Sequence, residues 1–169
     1  MPIVTTIEGR IAQVAIDRPE KRNTLSSELC KDLAREFLEL NDDTRVRSIV
    51  LCGHNNVFCA GLDIEEQLAE NTPIFNEFQK VIDALDALSK PVVAAVSGPA
   101  VSQGAAILYH CDLVFAGEHA LFSMPGLALG QTPRYGVSLL AVKSGGYKLA
   151  AQKLFLSEPS SSNNCFNCN

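Results

Sequence analysis

Residues 90–112, KPVVAAVSGPAVSQGAAILYHCD, decide the fold. The apolar run from Val92 to Val96 has no alternation, which predicts a strand covered on both faces, as in a parallel sheet. Gly98 and Pro99 break the run, and apolar residues resume from Val101 to Leu108 as a helix. The stretch therefore predicts a buried strand, a tight turn and a helix that begins at the carboxyl edge of the sheet.

The start of that helix has two interpretations. Free backbone N–H groups at a helix N-terminus stabilise negative charge, which favours an anion or oxyanion site at Ser102 to Gly104. Alternatively, Gly98 and Pro99 only turn a strand into a helix, as happens throughout α/β proteins. The segment alone leaves both interpretations open.

Composition limits the class of protein. A chain of 169 residues with 47% hydrophobic residues suffices for one domain with a core. The net charge of -5 gives no electrostatic reason to expect a nucleic acid partner. The first residues have the pattern of a strand rather than that of a signal peptide, and no apolar stretch approaches the ~20 residues that span a bilayer. We therefore expect a soluble, cytoplasmic protein with no membrane partner.

The cysteines indicate neither a disulfide framework nor a metal site. Four of them lie in periodic or apolar segments, where free cysteine behaves as a small hydrophobic residue. Cys165 and Cys168 form a lone C-x-x-C in a polar tail, without the second ligand pair that zinc requires. The tail, SSSNNCFNCN, has no aliphatic residue, so we expect it to stay outside the core.

The rest of the chain alternates strands and helices. The predicted elements are a hairpin over 3–7 and 11–16 with Gly9 in its turn, a helix from Ser26 or Ser27, a strand at 48–52, a helix after Pro73, strands at 113–116 and 120–123, and helices over 137–142 and 147–156. This order predicts an α/β domain with a mainly parallel sheet. The junctions at 58–64 and 98–104 then open on the same carboxyl edge, where ligands bind.

Several motifs together resemble one family. They are Asp17-Arg18-Pro19 with Asn23-Thr24-Leu25, the segment FCAGLDI at 58–64, KPVVAAVSGPA at 90–100, CDLVFA at 111–116, and Phe122 with Pro125 and Leu129-Gly130. In this order and spacing, over residues 3–157, they resemble the crotonase or enoyl-CoA hydratase/isomerase superfamily. The chain looks like a C-terminally shortened member, with a core at 1–157 that lacks the usual C-terminal helical region and an atypical polar tail at 158–169. An unrelated α/β hydrolase is excluded because no G-x-S-x-G motif occurs.

The resemblance implies a fold, a substrate and a mechanism. It implies a crotonase-like spiral of repeated ββα units, an acyl-CoA thioester as substrate, no cofactor beyond the coenzyme A of that substrate, no metal, and a homo-oligomer, a trimer or hexamer. Two backbone N–H groups would form an oxyanion hole for a thioester enolate, and the motifs carry these donors over to Ala60 and Gln103. The motif positions that would contact the substrate are Lys21, Arg22, Leu25, Phe58, Ala60, Leu62, Asp63, Ile64 and Gly104.

The sequence also departs from the family pattern. The usual glycine triplet is Ser102-Gln103-Gly104, so Gln103 can act as a donor only if its φ is negative. The two hydratase glutamates fall on Ala106 and Gly126, and the acid of related isomerases falls on Arg134. None of these three residues can transfer a proton as hydration or isomerisation requires.

Two functions therefore stay open. The chain is either an acyl-CoA enzyme of the family with altered chemistry, or a member that binds acyl-CoA or a protein without turnover. The polar or titratable residues nearest the site by motif are Asp63, Tyr109, His110, Ser123 and Tyr135. His110 could act as a base near neutral pH, or serve a structural role at the end of the helix.

Overall fold

In the computed structural model, which describes residues 2–162, the chain opens with the predicted hairpin. Strands β1 (Ile3–Glu8) and β2 (Ile11–Ile16) pair antiparallel around Gly9. Helix α1 (Ser27–Asp42) follows, with the Ser26 hydroxyl accepting the Leu29 N–H at 3.2 Å as its N-cap. Cys165 and Cys168 lie outside the described residues, so the predictions for them stay predictions.

A five-stranded sheet forms the centre of the molecule. Its order is β1-β2-β3-β4-β6, with β3 (Ser48–Gly53), β4 (Val92–Val96) and β6 (Leu113–Ala116) all parallel to β2. Short helix α2 (Ile64–Gln67) and helix α3 (Ile74–Asp86) lie between β3 and β4 in the chain. The apolar faces of α1 and α3 pack into one core with the inward side chains of β2, β3 and β4. The predicted α/β class with a mainly parallel sheet is confirmed.

Strand β4 is covered less completely than the sequence predicts. Its residues alternate between buried and half-buried, with Val93 and Ala95 on the half-buried face. These two residues lie opposite Leu113 and Phe115 of β6, which are exposed. The expectation of a strand buried on both faces is therefore wrong, because α1 and α3 pack on one face of the sheet and, within residues 2–162, the other face stays partly accessible at Val93 and Ala95.

The segment after Gly98 also differs from the prediction. Pro99–Val101 forms a further strand, β5, so the helix begins later, as α4 (Gln103–Leu108). β5 pairs with β7 (Leu121–Ser123) in a second, three-stranded sheet. The apolar Val101 therefore extends a ladder instead of starting a helix.

The last described elements complete the second sheet. Helix α5 (Val137–Leu156) joins the two predicted helical segments across a break at Gly146, whose φ is 77° and ψ is 163°. Ser160–Ser161 form β8, which pairs antiparallel with β7, and Ser160 is buried. The first residues of the polar tail thus contribute backbone to the second sheet and one buried residue, Ser160, although the composition predicted that the tail would stay outside the core. Within residues 2–162, no helix is both long and apolar enough to cross a membrane.

Candidate active site

Two loops that follow strands meet in direct backbone contact. Cys59 and Ala100 form a parallel bridge, and the Val101 N–H donates to the Cys59 carbonyl at 2.9 Å. A Cβ added to Gly104 would lie 2.2 Å from that same carbonyl oxygen. Only glycine fits this position without moving the backbone, so the start of α4 lies directly against the F-C-A-G segment.

The loop after β2 joins this contact from the other side. The Leu25 N–H donates to the Gly61 carbonyl and the Asp63 N–H donates to the Leu25 carbonyl, both at 2.8 Å. The structure thus brings together the three segments that the motifs singled out, at residues 21–25, 58–64 and 100–104. This agrees with the expectation that both strand-to-helix junctions open on one edge of the sheet.

The expected donor at Ala60 requires a correction. The Ala60 N–H already donates to the Arg22 carbonyl at 3.2 Å, and the Gly61 N–H faces the Cys59 sulfur at 3.4 Å. Among the described residues, the Leu62 N–H has no acceptor. A donor that is already bonded inside the protein must break that bond before it can bind an oxyanion, so the Leu62 N–H is more readily available than that of Ala60 or Gly61.

Gln103 meets the condition set by the sequence. It has helical backbone as the first residue of α4, and the positive φ falls on Ser102 instead, at 54° with ψ of -118°. The Ser102 hydroxyl donates to Gln103 Oε1 at 2.7 Å. In the part of the chain that the structure describes, the Gln103 N–H has no acceptor, as expected for the first turn of a helix.

A cavity of about 40 Å³ lies beside Gln103. Ala106, Gly126 and Arg134 all line it, so the three positions that would carry acids in related enzymes converge on one place. No Asp or Glu is among its lining residues within 2–162. The Arg134 guanidinium carbon lies 4.9 Å from the centre of the Phe75 ring, a cation–π contact. Within residues 2–162, the site therefore combines the Gln103 and Leu62 N–H groups, which have no acceptor, with a neighbouring cavity that no carboxylate lines.

His110 is held by two hydrogen-bond acceptors. Its side chain is 5% exposed, with Nδ1 2.7 Å from Asp86 Oδ1 and Nε2 2.9 Å from the Tyr135 carbonyl oxygen. Tyr135 has a positive φ of 58°, and its ring packs edge-on against Phe78 with centroids 4.7 Å apart. His110 thus anchors the loop that carries Arg134, which favours the structural interpretation of this histidine.

The other acid–base candidates also have partners. Asp63 is buried, accepts from the Arg18 guanidinium at 3.0 Å and caps α2 by accepting the Glu65 N–H at 3.1 Å. Burial raises the pKa of Tyr135 to about 12, so its phenol stays protonated at neutral pH. Tyr109 lines a different, larger cavity, together with Ser123. The Arg18–Asp63 pair was not apparent from the sequence, because its two members lie far apart in the chain.

The expected substrate contacts divide into two groups. The side chains of Leu25, Phe58 and Leu62 are fully buried in the core, so these residues can present only backbone to a ligand. Ile64 is 67% exposed, and Lys21 lies on the surface with its Nζ 2.9 Å from Glu65 Oε2. That hydrogen bond raises the pKa of Lys21. No cluster of potential metal ligands occurs in residues 2–162.

Comparison with known proteins gives the family. Residues 6–165 match the model of the family described as enoyl-CoA hydratase/isomerase. The chain is 34% identical over 161 residues to a short-chain-enoyl-CoA hydratase from Clostridium acetobutylicum, covering 92% of this chain and 62% of the relative. It is 30% identical to a 2,3-dehydroadipyl-CoA hydratase from Escherichia coli, with coverage of 92% and 62%.

Solved structures agree with this result. The crystal structure of an enoyl-CoA hydratase/isomerase from Pseudoalteromonas atlantica superimposes with a TM-score of 0.90 at 29% identity, covering 96% of this chain and 65% of that one. The fold is thus the crotonase-like α/β fold. The chain belongs to the enoyl-CoA hydratase/isomerase family. It spans about three fifths of the length of the two relatives named above.

Proposed function

We propose that the protein binds an acyl-CoA thioester and polarises its carbonyl through a backbone oxyanion hole. The donors are the N–H groups of Gln103 and Leu62. The observation that carries the proposal is that these two N–H groups, which have no acceptor in residues 2–162, lie on loops in backbone contact. A Cβ added to Gly61 would lie 3.2 Å from Ser102 Cβ and 3.3 Å from Gln103 Oε1, which places Leu62 beside the start of α4.

The chemistry follows from where charge develops. When the α C–H bond of a thioester breaks, its electron pair moves onto the carbonyl oxygen, and fixed N–H donors stabilise that oxyanion. Water addition further requires a group that activates water and a group that protonates carbon. Because Ala106 and Gly126 supply neither, the reaction that we propose stops at enolisation, with the proton passing to solvent.

Recognition of coenzyme A falls to the exposed members of the expected contact set. Lys21 and Arg22 supply positive charge for the phosphates, and Ile64 supplies an exposed apolar side chain. Gly104 allows the start of α4 to approach the Cys59 carbonyl, which keeps the two loops that carry the donors in contact. Leu25, Phe58 and Asp63 support these segments from the core.

An ultraviolet difference spectrum of acetoacetyl-CoA with the protein tests the proposal, because the enolate of this thioester forms without a carboxylate from the protein. We expect a new enolate band. A matched pair of variants separates the backbone donor from the side chain. Gln103→Ala keeps the N–H and should keep the band, whereas Gln103→Pro removes the N–H at a helix position that tolerates proline and should lose it. Equal bands in both variants, with equal melting temperatures, would exclude Gln103 as a donor.

Introducing carboxylates at the two positions that lack them tests the site by a gain of activity. Ala106 and Gly126 line the same cavity, so the double variant Ala106→Glu, Gly126→Glu should gain measurable hydration of crotonyl-CoA. The Ala106→Gln, Gly126→Gln variant has the same bulk without the acids and should remain inactive. If the glutamate variant binds the thioester without turnover, the cavity is not shaped for hydration, and binding without turnover becomes the better account of the function.

A further inference from the structure

Arg134 supplies the positive charge at the cavity beside Gln103. Among the residues that line this cavity within 2–162, only Arg134 is charged. Its guanidinium carbon lies 4.9 Å from the centre of the Phe75 ring, so the cation stacks on an aromatic face. In the same part of the chain, no Asp or Glu forms an ion pair with it. The planar donors of arginine match a carboxylate, so Arg134 can bind the carboxylate of a ligand.

The rest of the cavity suits a small anionic group. Its volume of about 40 Å³ holds roughly three water molecules, which is close to the bulk of one carboxylate group. Ala106, Gly126 and Val137 line it with neutral atoms. A glutamate at Ala106 or Gly126 would place a negative charge beside the carboxylate of a ligand and repel it. The residues that make the site unsuited to hydration therefore make it suited to a substrate that carries its own carboxylate.

We propose that the substrate is a malonyl-type thioester of coenzyme A, with a carboxylate on the α carbon, and that the protein removes this carboxylate as carbon dioxide. The proposal rests on the oxyanion hole of the proposed function. Arg134 binds the carboxylate of the substrate in the cavity, while the N–H groups of Gln103 and Leu62 bind the thioester oxygen. Gln103 and Arg134 line the same small cavity, which favours an acyl group with a single carbon between its carboxylate and its thioester.

The reaction forms the enolate without a base from the protein. The bond between the α carbon and the carboxylate carbon breaks, and its electron pair moves into the thioester as the enolate, with the negative charge on oxygen. The carboxylate leaves as carbon dioxide, and a proton from water then forms the new C–H bond. Malonyl-CoA and one proton thus give acetyl-CoA and carbon dioxide. No group has to remove a proton from carbon, so the step does not require carboxylates at Ala106, Gly126 or Arg134.

Arg134 and the backbone donors have different kinetic roles in this reaction. Arg134 attracts the carboxylate before the reaction, and this negative charge moves away from it as carbon dioxide forms. Arg134 therefore stabilises the bound substrate more than the transition state, and its loss should mainly raise KM. The N–H groups of Gln103 and Leu62 donate to the oxygen where charge develops, so losing either donor should mainly lower kcat.

Conversion of malonyl-CoA to acetyl-CoA by the full chain, measured by chromatography of the two thioesters, tests the proposal. We expect conversion above the rate without protein. Arg134→Gln should raise KM at least about tenfold, the effect of losing one charge-assisted hydrogen bond, with a smaller change in kcat. Arg134→Lys keeps the charge and should recover part of the affinity. The matched control is Arg47→Gln, which should leave both constants unchanged, because Arg47 is exposed and precedes β3, at the opposite end of that strand from the loop that leads to Phe58.

The acetoacetyl-CoA spectrum separates a failure of this proposal from a failure of the proposed function. The acyl group of acetoacetyl-CoA has no carboxylate, so Arg134→Gln should keep the enolate band. An enolate band without conversion of malonyl-CoA would overturn the decarboxylation and leave the oxyanion hole standing, whereas the absence of both would overturn the two together. Equal KM values for the wild type, Arg134→Gln and Arg47→Gln, at equal melting temperatures, would overturn the role of Arg134.

Discussion

Gly104→Ala tests the contact on which the candidate site depends. Gly104 is the second residue of α4, where alanine would ordinarily be favoured over glycine by about 1 kcal/mol. Here the added Cβ would lie 2.2 Å from the Cys59 carbonyl oxygen and 2.8 Å from Cys59 Cβ. The oxygen is a backbone atom and the Cβ is bonded directly to the backbone of buried Cys59, so a side-chain rotation cannot move either atom out of the way.

The expected cost follows from the displacement required. Opening the contact from 2.2 Å to an ordinary separation moves the backbone of one loop by about 1 Å. The same Cys59 carbonyl accepts the Val101 N–H at 2.9 Å, so that hydrogen bond stretches as well. We expect the free energy of unfolding to fall by about 2–4 kcal/mol, within the range for overpacking of buried sites. The two N–H donors also separate, and the enolate band should disappear.

Urea unfolding and the acetoacetyl-CoA spectrum measure the two effects. Gly126→Ala is the matched control, because Gly126 lines the same cavity but its added Cβ would lie 3.4 Å from the nearest atom, the Gln131 carbonyl oxygen. Its unfolding free energy should stay within about 0.5 kcal/mol of wild type. If Gly104→Ala were as stable as Gly126→Ala and kept the band, the two loops would not be in backbone contact and the argument for the paired donors would fail.

Further predictions concern the histidine that anchors the loop carrying Arg134, the carboxylate that the cavity lacks, and stability at alkaline pH. His110→Ala removes two hydrogen bonds made by a side chain that is 5% exposed, and it should lower the unfolding free energy by about 2 kcal/mol. The control His119→Ala changes an exposed residue and should alter the unfolding free energy by less than about 0.5 kcal/mol. Equal urea midpoints for the two variants would contradict the anchoring role of His110. Arg134→Glu places a carboxylate in the cavity and should allow conversion of a 3-enoyl-CoA to a 2-enoyl-CoA, while Arg134→Gln should not. Burial raises the pKa of the Cys59 thiol from 9.0 and that of the Tyr135 phenol from 10.0, each to about 12. Because the unfolded chain loses these protons first, the unfolding free energy should fall as pH rises from about 9 to 12, and a constant urea midpoint over that range would disprove the burial effect.

The sequence predicted most of the fold because its periodicities are local. The hairpin around Gly9, the helix capped by Ser26 and the helix that follows Pro73 all follow from hydrophobic patterns and end signals within a few residues. The sequence-based predictions that failed depend on segments that are distant in the chain but adjacent in the fold. Val101 joins a ladder instead of a helix because β7 lies beside it. Val93 is half-buried because α1 and α3 pack against the opposite face of the sheet.

The candidate site likewise has some features that follow from the sequence and others that depend on the tertiary structure. The sequence by itself determined the family resemblance, the segments that form the site and the absence of acids at Ala106, Gly126 and Arg134. Only the tertiary structure decided which backbone donors are available, because the Ala60 N–H is occupied by the Arg22 carbonyl, a group from a different loop. Residue types can be read along the chain, whereas the partner of a backbone hydrogen bond depends on segments that meet only after folding.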